Sequence, residues 1–190
     1  TESSAASDVY KRQVFNGPEN FLWLCDLASI ILLFALCLDS SLLMSSQAVG
    51  VLLIQLFWVL DFLSAWLLGS HLTGGTEYMF DTGQPVWLRA MSLFHIVMPP
   101  LLLWGVHRLG YDCRGWNLQT LIAWLLLPAT FLLADPGLNI NWVWQPFGLP
   151  QSLLSPHAFV LFMMLAYPLL LVFPTHLLLS HWFRPVDASK

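Results

Sequence analysis

From Phe21 onward the chain falls into long apolar runs divided by clusters of Gly, Pro, Asn and Asp. Five runs, 21–38, 48–69, 86–106, 118–134 and 157–179, approach the roughly 20 residues a helix needs to cross the hydrocarbon of a bilayer. They lack a strand-like period of two, and backbone groups in lipid must be satisfied within the segment, so the pattern predicts helices rather than barrel strands. The first and fourth runs are short and are expected to stand nearly upright or to extend into the flanking polar residues. No internal repeat divides the chain. Residues 14–190 read as one all-α transmembrane domain, a polytopic bundle of about five spanning helices.

Composition agrees with the pattern. Apolar residues make up 57% of the chain and charged residues 9%, against about 25% charged in a soluble domain. Such a chain cannot cover its surface with polar groups in water, so its partner is the lipid bilayer. Seven Lys and Arg against eleven Asp and Glu give a net charge of −4 with no basic stripe, which excludes nucleic-acid binding. Residues 3–13, Ser-Ser-Ala-Ala-Ser-Asp-Val-Tyr-Lys-Arg-Gln, read as the translation of a sequencing-library transposon adapter. Residues 1–13 are therefore expected to be a non-native disordered tail, the native protein to start near Val14, and the chain to come from assembled environmental DNA. Setting aside Glu2, Asp8, Lys11 and Arg12 leaves the net charge at −4.

Lys and Arg near span ends orient a multi-pass protein. Five helices put the connections at 39–47 and 107–117 and the C-terminus on one side, with Arg108, Arg114, Arg184 and Lys190; the other side holds Arg89. The C-terminus is thus expected in the cytoplasm and the N-terminus outside, in a bacterial inner membrane. Trp23, Trp87, Trp116, Trp142, Trp144 and Trp182 lie near the predicted span ends, as interfacial indoles do. The outer side then receives the two longest loops, 70–85 and 135–156. The first carries His71, Glu77, Tyr78 and Asp81, the second Asp135, Asn139, Asn141 and Gln145 among Trp142, Trp144 and Phe147. Loops of this kind cap a cavity or lie on the headgroups.

The candidate chemistry lies in ionisable groups inside the spans, which are costly in hydrocarbon and face a bundle interior or water. Asp26, Asp61 and His95 fall about 8, 12 and 14 Å from the outer ends of the first three helices at 1.5 Å per residue. Three consecutive helices thus predict an acid, an acid and an imidazole at similar depth. Pro99 and Pro100 deprive the carbonyls of His95 and Ile96 of their helical partners, which predicts a kink and a free acceptor beside the histidine. Ser64 and Ala65 after Asp61, and Ser29 after Asp26, add small faces that admit a neighbouring helix or a water. A carboxylate beside a histidine sets its tautomer and raises its basicity, as a general base or a metal ligand requires. The plain alternative is that the three residues hydrogen-bond one another to fix helix pairing.

Other chemistries find less support. A metal site needs three or four ligands; Asp61 and His95 with His71, His157 or Glu77 could supply them, but no HxxxH or HExxH spacing is present, and no cofactor is assigned. His176 and His181 read as interfacial anchors. Cys25, Cys37 and Cys113 form no CxxC pair and read as buried apolar thiols. Ser70-His71 lacks a GxSxG elbow, and Gly74-Gly75 lacks the rest of a phosphate loop.

The run Phe15-Asn16-Gly17-Pro18-Glu19-Asn20-Phe21-Leu22-Trp23, the segment Ser92-Leu93-Phe94-His95 followed by Pro99, and Arg108-Leu109-Gly110-Tyr111-Asp112 together resemble a group of uncharacterised bacterial polytopic membrane proteins. A His early in a kinked helix and the Asn-aromatic-x-aromatic step from Asn141 to Trp144 are similar to the YwaF-like membrane proteins. Neither resemblance implies an activity or transfers a catalytic residue.

The functional expectation is an inner-membrane protein with a polar pocket in the outer leaflet, built from Asp26, Asp61 and His95 and lidded by the two outer loops. If it is an enzyme, that depth favours a lipid-like substrate, with His95 as general base, Asp61 or Asp26 orienting it, and water as the nucleophile of a hydrolysis. The alternative is a small permease or an accessory subunit without catalysis. The sequence leaves the oligomeric state open.

Overall fold

The computed structural model describes residues 18–186; the adapter-like segment 3–13 lies outside them. The described residues are helical apart from loops and an isolated bridge between Tyr111 and Pro185. A 3₁₀ turn at Pro18–Leu22 leads into α1 (Leu24–Cys37), followed by α2 (Ser41–Leu68), α3 (Val86–Met91), α4 (Phe94–Leu109) and α5 (Gly115–Leu133). The last segment is α6 (Pro156–Tyr167), a π-helical turn at Pro168–Val172, and α7 (Phe173–Trp182). Among the described residues four helical stretches are long and apolar enough to cross a membrane: Ser41–Leu68, Val86–Leu109, Gly115–Leu133 and Pro156–Trp182. The bundle is that of a multi-pass membrane protein. Helix α1, at 14 residues, rises only about 21 Å, so it falls short of a bilayer core about 30 Å thick.

The expected segments recur with shifted ends, and each shift has a local cause. Helix α2 begins at Ser41 rather than Ala48 because Ser40 caps it, its side chain accepting from the Leu43 N–H at 3.3 Å. The polar run Ser45-Ser46-Gln47 then continues the helix because each side chain finds a buried partner. The helix stops at Gly69, whose φ of 71° suits a residue without Cβ. The third segment is interrupted at Ser92-Leu93 and not at its prolines. There the N–H groups of His95 and Ile96 donate to Ser92 and Leu93 at 3.1 and 3.0 Å. These short-period bonds tighten the turn just before Pro99 and Pro100, where the regular ladder loses two donors.

Helix α2 is the axis of the bundle, packed against α1, α4, α5 and α7. Its buried face carries Met44, Ala48, Val49, Val51 and Leu52 against Ala28, Leu32, Leu102 and Val106. Leu33, Phe34, Leu60, Leu125, Leu132, Leu161 and Leu170 point outward and are exposed, a surface suited to lipid. Neutral polar groups stitch the interior: Gln119 donates to the Tyr167 hydroxyl at 3.0 Å, Tyr167 donates to the Gly50 carbonyl at 2.8 Å, and Gln47 donates to Ser46 and Gln119. A Cβ at Gly50 would collide with the Gln119 amide, so any larger residue there must displace that side chain from the network.

The ends of the bundle differ. At one end Arg108 pairs with Asp39 at 3.0 Å, the Tyr111 N–H donates to the Arg184 carbonyl, and the Val186 N–H donates back to Tyr111. The connections at 39–47 and 107–117 and the C-terminal strip therefore gather together, as the chain order predicts. Asp112, buried there, receives the Arg114 guanidinium at 2.7 Å, and this hydrogen bond holds its carboxyl below the usual range. The two long loops meet at the opposite end.

Candidate functional site

Asp61, near the end of α2, is buried, at 1% exposure. Its Oδ1 accepts from the N–H groups of Leu72 and Thr73, both at 2.7 Å, and from the Thr73 hydroxyl at 3.3 Å. Its Oδ2 accepts from the Thr76 N–H at 2.9 Å and hydroxyl at 2.5 Å and faces His71 Nδ1 at 3.4 Å. The carboxylate therefore organises the 71–76 turn, supplying acceptors to three of its backbone donors, of which that of Thr76 belongs to a buried residue.

His95 opens α4 and lies against the neighbouring helix. Its ring stacks on Trp58 with centroids 4.5 Å apart, and Nδ1 donates to Gln55 Oε1. Gln55 is fully buried and turns its Nε2 to Met98 Sδ at 3.0 Å. With Nδ1–H committed to a carbonyl oxygen, Nε2 is the basic atom of the neutral ring. Asp26, on α1, accepts from Asn20 Nδ2 at 3.2 Å.

The three ionisable residues are thus placed in three separate hydrogen-bond environments, and none of the recorded bonds joins one to another. His95 meets α2 at Gln55 and Trp58, within two turns of Asp61, while Asp61 turns its carboxylate into the 71–76 loop. The orienting partner of His95 is the amide of Gln55, which a search confined to ionisable residues passes over. A neutral Gln inside an apolar run is the signal that would have found it.

The two loops do meet over the bundle. Asn141, buried, makes three side-chain hydrogen bonds that fix the second loop. Its Oδ1 accepts from the Leu24 N–H at 2.9 Å, and its Nδ2 donates to the Leu22 carbonyl at 2.6 Å and to Thr130 Oγ1 at 3.1 Å. Asn139 folds the next turn, accepting from the N–H groups of Trp144 and Gln145 and donating to the Gln145 carbonyl. Between the loops lies an open cleft of about 330 Å³, lined by Trp23, Thr73, Glu77, Leu138, Trp142 and Phe147, with glycines of both loops at its edge.

Three non-glycine lining residues adopt left-handed backbone: Asn139 at φ 45°, Trp142 at 56° and Phe147 at 52°. Asparagine tolerates this region, but for the two aromatics it costs on the order of 1–3 kcal/mol each. The strain turns their rings toward each other and toward Trp23: Trp142 and Phe147 have centroids 4.7 Å apart, and Trp23 meets Trp142 edge-on at 6.4 Å.

The remaining candidates are dispersed. His71 belongs to the Asp61 turn, Glu77 to the cleft, and His157 lies edge-on to Phe131 at 5.2 Å. Among the described residues no three His, Cys, Asp or Glu side chains converge in a way that could hold a metal ion. His176 faces the Tyr111 hydroxyl at 2.7 Å in the opposite half of the bundle. The cysteines are free, Cys25 half-buried and Cys37 and Cys113 exposed rather than buried, because Cys37 closes α1 and Cys113 lies in the connection before α5. Set beside known proteins, the chain matches no family model, no curated protein and no solved structure.

Proposed function

We propose that the chain is a multi-pass protein of the bacterial inner membrane that holds a lipid-like amphiphile in the cleft between its two long loops, on the outer face. The observation that carries this reading is the strained pair Trp142 and Phe147 on the cleft wall. Backbone strain persists only where the surroundings over-determine it, and it concentrates at ligand clamps; here Asn141 and Asn139 supply the anchoring. The cleft is half polar and half aromatic. Phe147 also continues onto Phe57 of α2 at 6.0 Å, which is exposed on the lipid-facing surface, so a chain and a headgroup both find a place.

Binding is favoured over hydrolysis because neither Asp26 nor Asp61 reaches His95, whose Nδ1 is held by a neutral amide. A second reading, in which polar residues within the spans serve packing alone, is favoured at Asp61, whose two oxygens are filled by loop donors. The test is lipid retention measured by native mass spectrometry after purification in a mild non-ionic detergent. Wild type is expected to carry bound lipid, and both Trp142→Ala, which opens the wall, and Leu138→Trp, which fills the cleft, to lose it while melting as folded proteins. Retention unchanged in both folded variants would refute the cleft as the binding site.

A further inference from the structure

We infer, resting on the cleft reading above, that the headgroup the cleft recognises carries an ammonium group, as in choline or ethanolamine lipids. Among the described residues Glu77 is the one charged side chain in the lining; the others are aromatic, aliphatic, hydroxyl, amide or glycine. Trp23, Trp142 and Phe147 pack on one another as a continuous aromatic wall of the same cleft, with ring pairs at 6.4 Å and 80° and at 4.7 Å and 42°. An aromatic wall and an acid in one cleft are the chemistry that selects an alkylammonium ion, because ring quadrupoles attract a weakly hydrated cation and the carboxylate completes its neutralisation.

The wider field has the same sign. Glu19, Asp81 and Asp135 lie in the segments at this end of the bundle. Arg89, a basic residue of the same end, does not line the cleft, and its Nη1 donates to the Met79 carbonyl at 3.2 Å. A headgroup bearing only negative charge would meet Glu77 with no cation in the lining to offset it. The aromatic wall then continues through Phe147 to Phe57 and the lipid-facing side of α2, where Leu60 is also exposed. The ammonium end is thereby placed in the cleft and the acyl end along the helix.

The experiment is calorimetric titration of the detergent-purified full chain with short-chain phosphatidylcholine, short-chain phosphatidylglycerol and choline chloride. Phosphatidylcholine is expected to bind about tenfold more tightly than phosphatidylglycerol, and Glu77→Gln to remove most of that preference. Trp142→Leu, which keeps an apolar side chain and removes the ring face, should weaken phosphatidylcholine while leaving phosphatidylglycerol unchanged. Choline binding as tightly as the lipid supports the ammonium site and identifies a free solute as its source; choline binding much more weakly identifies the lipid. Equal binding of the two lipids, abolished for both by Leu138→Trp, overturns the ammonium assignment and leaves the cleft reading standing. No binding of any of the three overturns both.

Discussion

At the residue scale, Asp61 illustrates how a charge at the end of a membrane helix is accommodated. A carboxylate in a bundle is tolerated when its oxygens are saturated, and Asp61 accepts from three backbone N–H groups and two hydroxyls of one short turn. Removing the carboxylate leaves those donors without acceptors, at about 1–3 kcal/mol for each that water does not reach. Asp61→Ala is therefore expected to lower the thermal midpoint and to speed amide exchange at Leu72, Thr73 and Thr76. Exchange unchanged at those amides would mean that the turn is held by other contacts. The presence of a costly Asp in an apolar run was legible in the sequence. Its partners were not, because they lie 10 to 15 residues later in a polar loop whose path only the folded chain defines. For His95 the legible part was burial and the hidden part was Gln55, 40 residues away in sequence.

At the element scale, the irregular turn in the last span follows from proline chemistry and from the helix that answers it. Pro168 has no N–H, so the carbonyl of Met164 loses its helical donor. In lipid an orphan acceptor costs several kcal/mol, and here the Trp124 indole N–H of α5 reaches across to it at 2.8 Å. The π-helical turn that begins at Pro168 sits directly after this substitute bond. Trp124→Phe keeps the aromatic bulk and removes the donor, so it is expected to destabilise the protein by about 1–3 kcal/mol, seen as a lower denaturant midpoint. Trp124→Tyr, as an alternative donor, is expected to recover less than the full loss. A midpoint unchanged in Trp124→Phe would show that the carbonyl finds another partner. The periodicity located this span to within three residues at either end, but an apolar pattern contains no information on which carbonyl a neighbouring indole will reach. The early start of α2 has the same cause: Ser45, Ser46 and Gln47 look like a loop until Asp112 and Gln119 are packed against them.

At the scale of the whole molecule, the gathering of arginine-bearing segments at one end and of the long loops at the other makes an orientation test possible with native residues. Cys113 is exposed, beside the Asp112–Arg114 pair. With the C-terminus in the cytoplasm, as the arginine distribution predicts, Cys113 should be protected from a membrane-impermeant maleimide in intact cells and labelled after permeabilisation. A Gly75→Cys variant, at the rim of the cleft where a Cβ stands at an ordinary 3.6 Å from the Thr73 hydroxyl, should show the opposite pattern when Cys37 and Cys113 are both replaced by Ser. Labelling of Cys113 in intact cells would invert the molecule and move the cleft to the cytoplasm. By itself the sequence determined the solvent, the helical class and the approximate extent of the apolar segments, because each depends on composition and spacing along the chain, and lipid admits few ways to satisfy a backbone. Only the tertiary structure decided that Asp26, Asp61 and His95 share no hydrogen bond, that Asn141 ties the second loop to α1 and α5, and that Trp23, Trp142 and Phe147 line one cleft with Glu77. Those are pairings between residues far apart in sequence, set by how helices pack and loops fold over them, and no period or propensity along a single chain encodes them.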